Sequence, residues 1–115
     1  MATHLERARA TCLDLPEATE RETWGHPTFR VRDKIFAGFG TADDGTTTMS
    51  MKAAPGEQES LLAVGHPFFK PAYVGSKGWI GIVIDDETDW DEVRELVLDS
   101  YRTIAPKTLA RRLEV

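Results

Sequence analysis

The sequence predicts an α+β domain in which helices near both ends of the chain pack on one face of an antiparallel β-sheet. Helical apolar spacing is present over about 3–13 and again over about 88–105. Between these segments, short runs alternate apolar with polar residues, as strands with one buried face do. The predicted strands mostly follow one another directly, and this order favours an antiparallel sheet over alternating βαβ units.

Length and composition indicate a single domain over residues 1–115. The chain is 41% hydrophobic and 29% charged, which is typical of a folded soluble domain. Its single cysteine excludes a disulfide framework and a zinc site built from several cysteines. The charged N-terminus lacks a secretory apolar segment, and the longest apolar run, 78–84, is too short to span a membrane. We therefore expect a cytoplasmic protein with no membrane partner.

The first helix is predicted from Thr3 to Leu13. Thr3 is a suitable N-cap, and Glu6 three residues later completes a capping box. Cys12 falls on the apolar stripe, where a thiol behaves as a small buried hydrophobe and not as a nucleophile. Pro16 lies just beyond the predicted end, and proline cannot continue a helix.

Strands and turns fill the middle of the chain. Asp44-Gly45 predicts a hairpin turn, because this pair tolerates the positive φ of primed turns. The predicted strands are 20–24, 28–32, 34–39, 46–52 and 79–84. A short helix is predicted over 55–64, and a loop with an edge strand over 65–78.

The C-terminal helix is predicted from Thr88 or Asp89 to Ala105, just before Pro106. Its apolar residues repeat at three- and four-residue steps as one stripe: Trp90, Val93, Val97, Tyr101 and Ile104. Six carboxylates lie between residues 85 and 92. They could bind a hard cation, but carboxylates also cap and stabilise helix N-termini, and capping explains the run better.

Strand alternation divides the sheet into a covered face and an open face. The covered face is predicted to carry Phe29, Val31, Ile35, Ala37, Phe39, Met49, Met51, Ile80, Ile82 and Ile84. The open face is predicted to carry Arg30, Arg32, Lys34, Phe36, Thr46, Thr48, Ser50, Lys52, Trp79, Gly81 and Val83. This second set is basic and hydroxylated, as a partner-binding face would be, although an ordinary solvated sheet face uses the same residue types.

The segment 68–79 interleaves aromatic residues with Lys70 and Lys77. Tyr73 and Trp79 could stack on bases while the lysines contact phosphates. A loop packed on a small satellite core, with its lysines in water, would show the same pattern.

No motif in the chain indicates catalysis. His26 and His66 lie in turn-rich segments and could act as metal ligands or as an acid and a base, but no third ligand follows at metal spacing. The chain has no nucleophile elbow, phosphate-binding loop or dinucleotide-binding motif in its proper context. We therefore predict a non-enzymatic binding module without catalytic residues, metal or cofactor.

Two ligand hypotheses follow from the residue pattern. In the first, the open face and the 66–79 loop bind nucleic acid, with Tyr73 and Trp79 stacking on bases. The residues assigned to phosphates are Arg30, Arg32, Lys52, Lys70 and Lys77. In the second, a pocket near His26, Tyr73 and Trp79 binds a small molecule or a protein partner and no nucleic acid.

Several segments in order resemble the MmcQ/YjbR family of small bacterial proteins. The matching segments are 15–18, 24–31, 34–37, 71–79 and the helix 90–105. The resemblance implies a CyaY-like (frataxin-like) two-layer sandwich, with two helices against an antiparallel sheet. The resemblance implies no settled activity; DNA binding through winged hairpins has been proposed for the family. The net charge of −5 means that only a local basic face could neutralise phosphates here.

Overall fold

The computed structural model describes residues 3–72 and 74–114. In chain order its elements are α1 (His4–Leu13), β1 (Thr19–Thr23), β2 (His26–Val31), β3 (Lys34–Thr41), β4 (Thr47–Lys52), α2 (Glu57–Val64), β5 (Phe68–Phe69), β6 (Trp79–Ile84), α3 (Trp90–Ile104) and α4 (Lys107–Ala110). Two 3₁₀ turns, Val74–Lys77 and Arg111–Glu114, complete the order.

The strands form one antiparallel sheet in the order β1-β2-β3-β4-β6-β5. Helix α3 packs across β3 and β4, and α1 packs beside α3 against β3. The α+β prediction, with an N-terminal and a C-terminal helix on one face of the sheet, is confirmed. Among the described residues, no helix is long and apolar enough to cross a membrane.

Capping side chains fix the ends of both long helices, as the sequence predicts. The Thr3 hydroxyl accepts from the Glu6 amide at 3.1 Å, and the Glu6 carboxylate accepts from the Thr3 amide, which completes the capping box. At the start of α3, the Asp89 carboxylate accepts from the amides of Asp91 and Glu92. The acidic run therefore contributes an N-cap to α3.

The core lies between the helices and the covered face of the sheet. Alternate residues of β4 and β6 supply its floor, and α1 and α3 supply its roof. The fully buried larger side chains are Phe29, Val31, Phe36, Met49, Met51, Ile80, Ile82, Val93, Val97 and Tyr101. The assignment of the alternating positions of β4 and β6 to the covered face is confirmed.

Strand β3 departs from the predicted alternation. Phe29 pairs with Ala37, but the next residue of β2, Arg30, pairs with Ile35, so Phe36 is the extra residue of a β-bulge. Phe36 and Ala37 are both buried in the core. The assignments of Phe36 to the open face and Ile35 to the covered face were wrong, because the bulge breaks the two-residue period. The assignment of Lys34 to the open face was also wrong. Lys34 pairs with Val31, which is buried on the covered face, and paired residues share a face.

Helix α3 satisfies the backbone at this bulge. The buried Ser100 hydroxyl donates to the Phe36 carbonyl at 2.6 Å and accepts from the Lys52 amide at 3.0 Å. The Phe36 ring meets Tyr101 edge-on, with ring centroids 5.4 Å apart. The Tyr101 hydroxyl donates in turn to the Pro16 carbonyl at 2.6 Å. These contacts fix α3 relative to β3, β4 and the segment after α1.

The buried Cys12 thiol gives the stability of the fold a dependence on alkaline pH. Burial, with a smaller effect of the Glu20 charge, raises the pKa of Cys12 from 9.0 to about 12. Only the unfolded state ionises between these values. The free energy of unfolding should therefore fall by up to about 1.4 kcal/mol per pH unit above pH 9 and show no Cys12 contribution below it.

Urea unfolding of wild type and Cys12→Ala between pH 8 and 10.5 measures this contribution. We expect the variant to be less stable at pH 8, because of the cavity it creates. Its stability should decline less steeply above pH 9 than that of the wild type. Parallel declines in the two proteins would contradict the raised pKa.

Candidate functional site

The sheet register identifies the residues on the face opposite α1 and α3, here called the open face. Directly paired residues point to the same side of a sheet, so Thr28, Gly38, Ser50 and Gly81 form one row across four strands. By the same register the face also carries Thr19, Arg21, Thr23, His26, Arg30, Ile35, Gly40, Thr48, Lys52, Phe69, Trp79 and Val83. Arg30 and Trp79 therefore lie on the same face.

The open face is positively charged although the chain as a whole is acidic. Its strand positions include Arg21, Arg30 and Lys52, and they include no aspartate or glutamate within the described strands. Glutamates of β1 alternate to the other side, where Glu20 pairs with Arg9 of α1 at 2.8 Å. The strand positions on the side of the sheet that the long helices do not cover therefore carry a net positive charge.

A trough with a volume of about 460 Å³ crosses the open face. Its floor is low because two positions of β3, Gly38 and Gly40, have no side chain. Its walls include the β1–β2 turn and Ala72, in the loop that follows β5. The lining residues are Thr23, Trp24, His26, Pro27, Thr28, Gly38, Phe39, Gly40, Thr48, Ser50 and Ala72.

Trp24 stands at the rim of this trough and is almost fully exposed. Its relative exposure is 94%, and its backbone has a φ of 54°. Gly25 follows with a φ of 80°, so the two residues form a tight turn between β1 and β2. A positive φ is rare and unfavourable for a bulky residue, and such strain concentrates at functional sites. The turn therefore presents a large aromatic ring that makes almost no contribution to the core.

Arg30 is a half-buried cation of the open face. Its guanidinium donates to the Thr23 hydroxyl at 2.9 Å and, at 3.4 Å each, to the Thr28 hydroxyl and the Asp33 carbonyl. These acceptors are neutral, and no carboxylate of the described residues lies within 4.0 Å of Arg30. Arg21, in contrast, pairs with the Asp33 carboxylate at 3.2 Å. Arg30 thus offers a positioned positive charge to a ligand.

Arg32 lies away from this face, so its predicted place there was wrong. Arg32 and Asp33 form a tight turn with φ values of 49° and 67°, which releases Arg32 from the strand alternation. Its guanidinium donates two hydrogen bonds to Glu17, at 2.7 and 3.1 Å. This bonding lowers the pKa of Glu17. Glu17 follows Pro16, which binds Tyr101 of α3, so Arg32 lies at the edge of the helical layer.

The loop after β5 covers one end of the open face. The Phe69 ring lies over Gly81, and the stem of Lys70 lies against Gly75. The Gln58 side-chain amide donates to the carbonyls of Gly75 and Trp79, at 2.7 and 2.8 Å. Part of the predicted binding loop is thus packed against the sheet. Tyr73 lies outside the described residues.

Three more of the predicted binding residues lie at the end of the sheet that this loop covers: Lys52, Trp79 and Lys77. Lys52 and Trp79 are paired neighbours on β4 and β6. Lys52 also lines a cavity of about 420 Å³ together with Lys77 and the start of α2. Along β4, Lys52 lies two residues from Ser50, about 7 Å from the floor of the trough. Arg30 on β2 and Lys52 on β4 both lie just beyond the row of Thr28, Gly38 and Ser50, so the open face offers basic side chains along one side of the trough.

The two histidines of the chain's Gly-His-Pro segments do not share a cleft. His26 lies on the open face, with its ring beside Gly40. His66 instead lines a separate cavity of about 230 Å³ with the acidic segment before α3. No cluster of three or more metal-binding side chains occurs among the residues that the structure describes. This arrangement does not support an acid–base pair of His26 and His66.

Three residues that shape the trough were not predicted as site residues: Trp24, Gly38 and Gly40. Trp24 was assigned to a strand, whereas the Trp24-Gly25 pair forms a turn. Gly38 and Gly40 were assigned to neither face of the sheet and to no site. The available signal was an unusual one, two glycines at alternate positions of a strand.

The fold and this face define a small α+β module with an open, basic sheet surface. The YjbR family model matches residues 13–103, and the chain belongs to the YjbR family. No curated protein matches the sequence.

Two solved structures share the fold. Deinococcus radiodurans protein DR2400, with a DUF419 domain, is 20% identical with a TM-score of 0.76, and the match covers 96% of this chain and 88% of that chain. A Pseudomonas syringae protein, structural genomics target PsR293, is 16% identical with a TM-score of 0.68, covering 90% of this chain and 98% of that chain.

Proposed function

We propose that the protein is a binding module for single-stranded nucleic acid and that the open face is its binding surface. The observation that carries the proposal is the positive charge of that face next to an exposed aromatic ring. Arg30 has no carboxylate partner among the described residues, and Trp24 is 94% exposed at the rim of the same trough. Single-strand binding proteins combine a positively charged groove with aromatic side chains for stacking.

The width of the sheet favours a single strand over a duplex. Six strands at their usual spacing span about 24 Å, whereas the major groove of B-DNA is about 12 Å wide. The open face therefore does not fit into a groove. The β1–β2 hairpin alone is narrow enough, but its other side carries Glu20 and Glu22, which would lie close to phosphates and repel them.

In this proposal Arg30 contacts a phosphate while the Thr23 and Thr28 hydroxyls hold its guanidinium in place. Lys52 continues the phosphate path along β4, and Lys70 and Lys77 extend it at the far end of the sheet. The acidic residues of the helical layer lie behind the sheet. Their repulsion is screened over about 8–10 Å at moderate salt, so it does not cancel contacts made directly at the open face.

Titration of labelled oligonucleotides followed by fluorescence anisotropy tests the proposal. We expect a 12-nucleotide single strand to bind more tightly than the duplex of the same sequence. For about four phosphate contacts, the logarithm of the association constant should fall with the logarithm of salt concentration with a slope of about −3. Absence of binding at 25 mM salt, or equal affinity for the duplex, would overturn the proposal.

A second candidate function is supported by the size of the trough. Its volume of about 460 Å³ lies in the range of small-molecule pockets. A small molecule bound beside His26 would occupy the trough without using Lys52, Lys70 or Lys77. A metabolite that raises the melting temperature, in a protein that binds no oligonucleotide, would favour this candidate over the first. If the face binds a protein partner instead, neither an oligonucleotide nor a metabolite should bind.

A further inference from the structure

We infer that the trough binds the base of one nucleotide, with the flat ring lying on the backbone of Gly38 next to the His26 ring. The inference rests on the proposed function and deepens it, because it assigns base contact to the trough and phosphate contact to the basic residues around it. Three features of the trough support it: Gly38 in its floor, its hydroxyl groups and the position of Trp24.

The two glycines of the floor differ in what lies over them. Glycine weakens a strand interior and often marks a place where another group approaches the backbone closely. At Gly81 and Gly40 that group belongs to the protein, because an added Cβ would overlap the Phe69 ring at Gly81 and lie 3.2 Å from the His26 ring at Gly40. At Gly38 no ring lies over the backbone, and an added Cβ would meet only the Ser50 hydroxyl, at 3.3 Å.

Backbone conformation does not require a glycine at Gly38. Its φ is not positive, in contrast to those of Gly25 and Gly45 in their turns. This strand position therefore lacks a side chain on the face that the long helices leave open. A ligand that lies flat against the backbone accounts for it.

The surrounding groups suit a heteroaromatic ring. The hydroxyls of Thr48 and Ser50 line the trough and can donate to or accept from the polar edge of a base. Trp24 at the rim supplies an aromatic face for stacking, and His26 supplies a second ring. Arg30 lies on the same face as Thr28, about 7 Å further along β2, so a phosphate of the same strand can reach it.

The experiment compares a 12-nucleotide thymidine strand with a fully abasic strand of the same length and charge, each labelled and measured by anisotropy at low salt. Loss of stacking at one base should weaken binding about tenfold or more, so we expect the wild type to prefer the thymidine strand by at least that factor. Gly38→Ala should lower the affinity for the thymidine strand about tenfold and leave the affinity for the abasic strand unchanged.

Trp24→Ala gives an independent variant with little effect on folding, because the ring is 94% exposed. It should reduce the preference for the thymidine strand, and Trp24→Phe should restore part of it. Equal binding of both strands by the wild type would overturn the inference and leave the proposed function standing. Binding of neither strand would overturn the proposed function itself.

Discussion

Replacing Arg30 with glutamate is expected to weaken the binding of a single-stranded oligonucleotide by about 100-fold at low salt. A charge-assisted hydrogen bond contributes about 1.5–3 kcal/mol to binding. The glutamate that replaces Arg30 would also repel the phosphate that Arg30 contacts. The effect should be large because the Arg30 guanidinium is already held by the Thr23 hydroxyl at 2.9 Å and has no described carboxylate to release first. Anisotropy titration at 25 and 150 mM salt measures the change.

The matched control is Arg94→Glu, which changes the net charge of the chain by the same amount on α3. Arg94 is exposed, and its guanidinium lies 3.7 Å from the Asp14 carboxylate on the helical side. If binding is local to the open face, Arg94→Glu should change the affinity by less than about threefold, since exposed charges more than a Debye length apart are largely screened. Equal losses in the two variants would show a general charge effect and contradict the assignment of Arg30.

The parts of the fold that the sequence predicted correctly are those in which local pattern and packing agree. The alternation of Met49 with Met51, and of Ile80 with Ile82, identifies one buried face because both strands are regular and central in the sheet. The Thr3–Glu6 capping box is likewise a local feature, and its residues interact as their spacing predicts.

The errors in the sheet arise where the chain leaves regular geometry. The bulge at Phe36 depends on hydrogen bonding to Ser100, a residue 64 positions away in the sequence. Strand alternation holds no information about that contact, so Ile35 and Phe36 were assigned to the wrong faces. Arg32 was misplaced for a similar reason, because its left-handed turn conformation and its pairing with Glu17 are tertiary features.

The candidate site was predictable in its charge but not in its shape. Placing Arg30, Lys52 and Trp79 on one face requires only the strand period, and the structure places all three there. The trough, in contrast, exists because Gly38 and Gly40 come to lie between the β1–β2 turn and the 70–72 loop. That arrangement depends on strand order, and neither strand order nor the exposure of Trp24 follows from periodicity.

The second large effect is expected from Gly81→Ala, which should destabilise the fold by about 2–3 kcal/mol, the upper part of the range for overpacked interiors. β-propensity alone predicts the opposite sign, because glycine in a strand interior costs about 0.5–1 kcal/mol relative to alanine. Packing should prevail here. The added Cβ would overlap the Phe69 ring, which would have to leave its place over Gly81, the residue that Phe69 pairs with across β5 and β6.

Gly38→Ala is the matched control, because it makes the same chemical change on the same face of the same sheet. Its new Cβ meets only the Ser50 hydroxyl at 3.3 Å, so we expect stability within about 0.5 kcal/mol of the wild type. Urea unfolding at neutral pH measures both variants. In a Phe69→Ala background, Gly81→Ala should become nearly neutral, since the obstructing ring is gone. Equal destabilisation by the two glycine variants, or no rescue by Phe69→Ala, would contradict the packing of Phe69 on Gly81. The open face would then lack the boundary that this ring gives it.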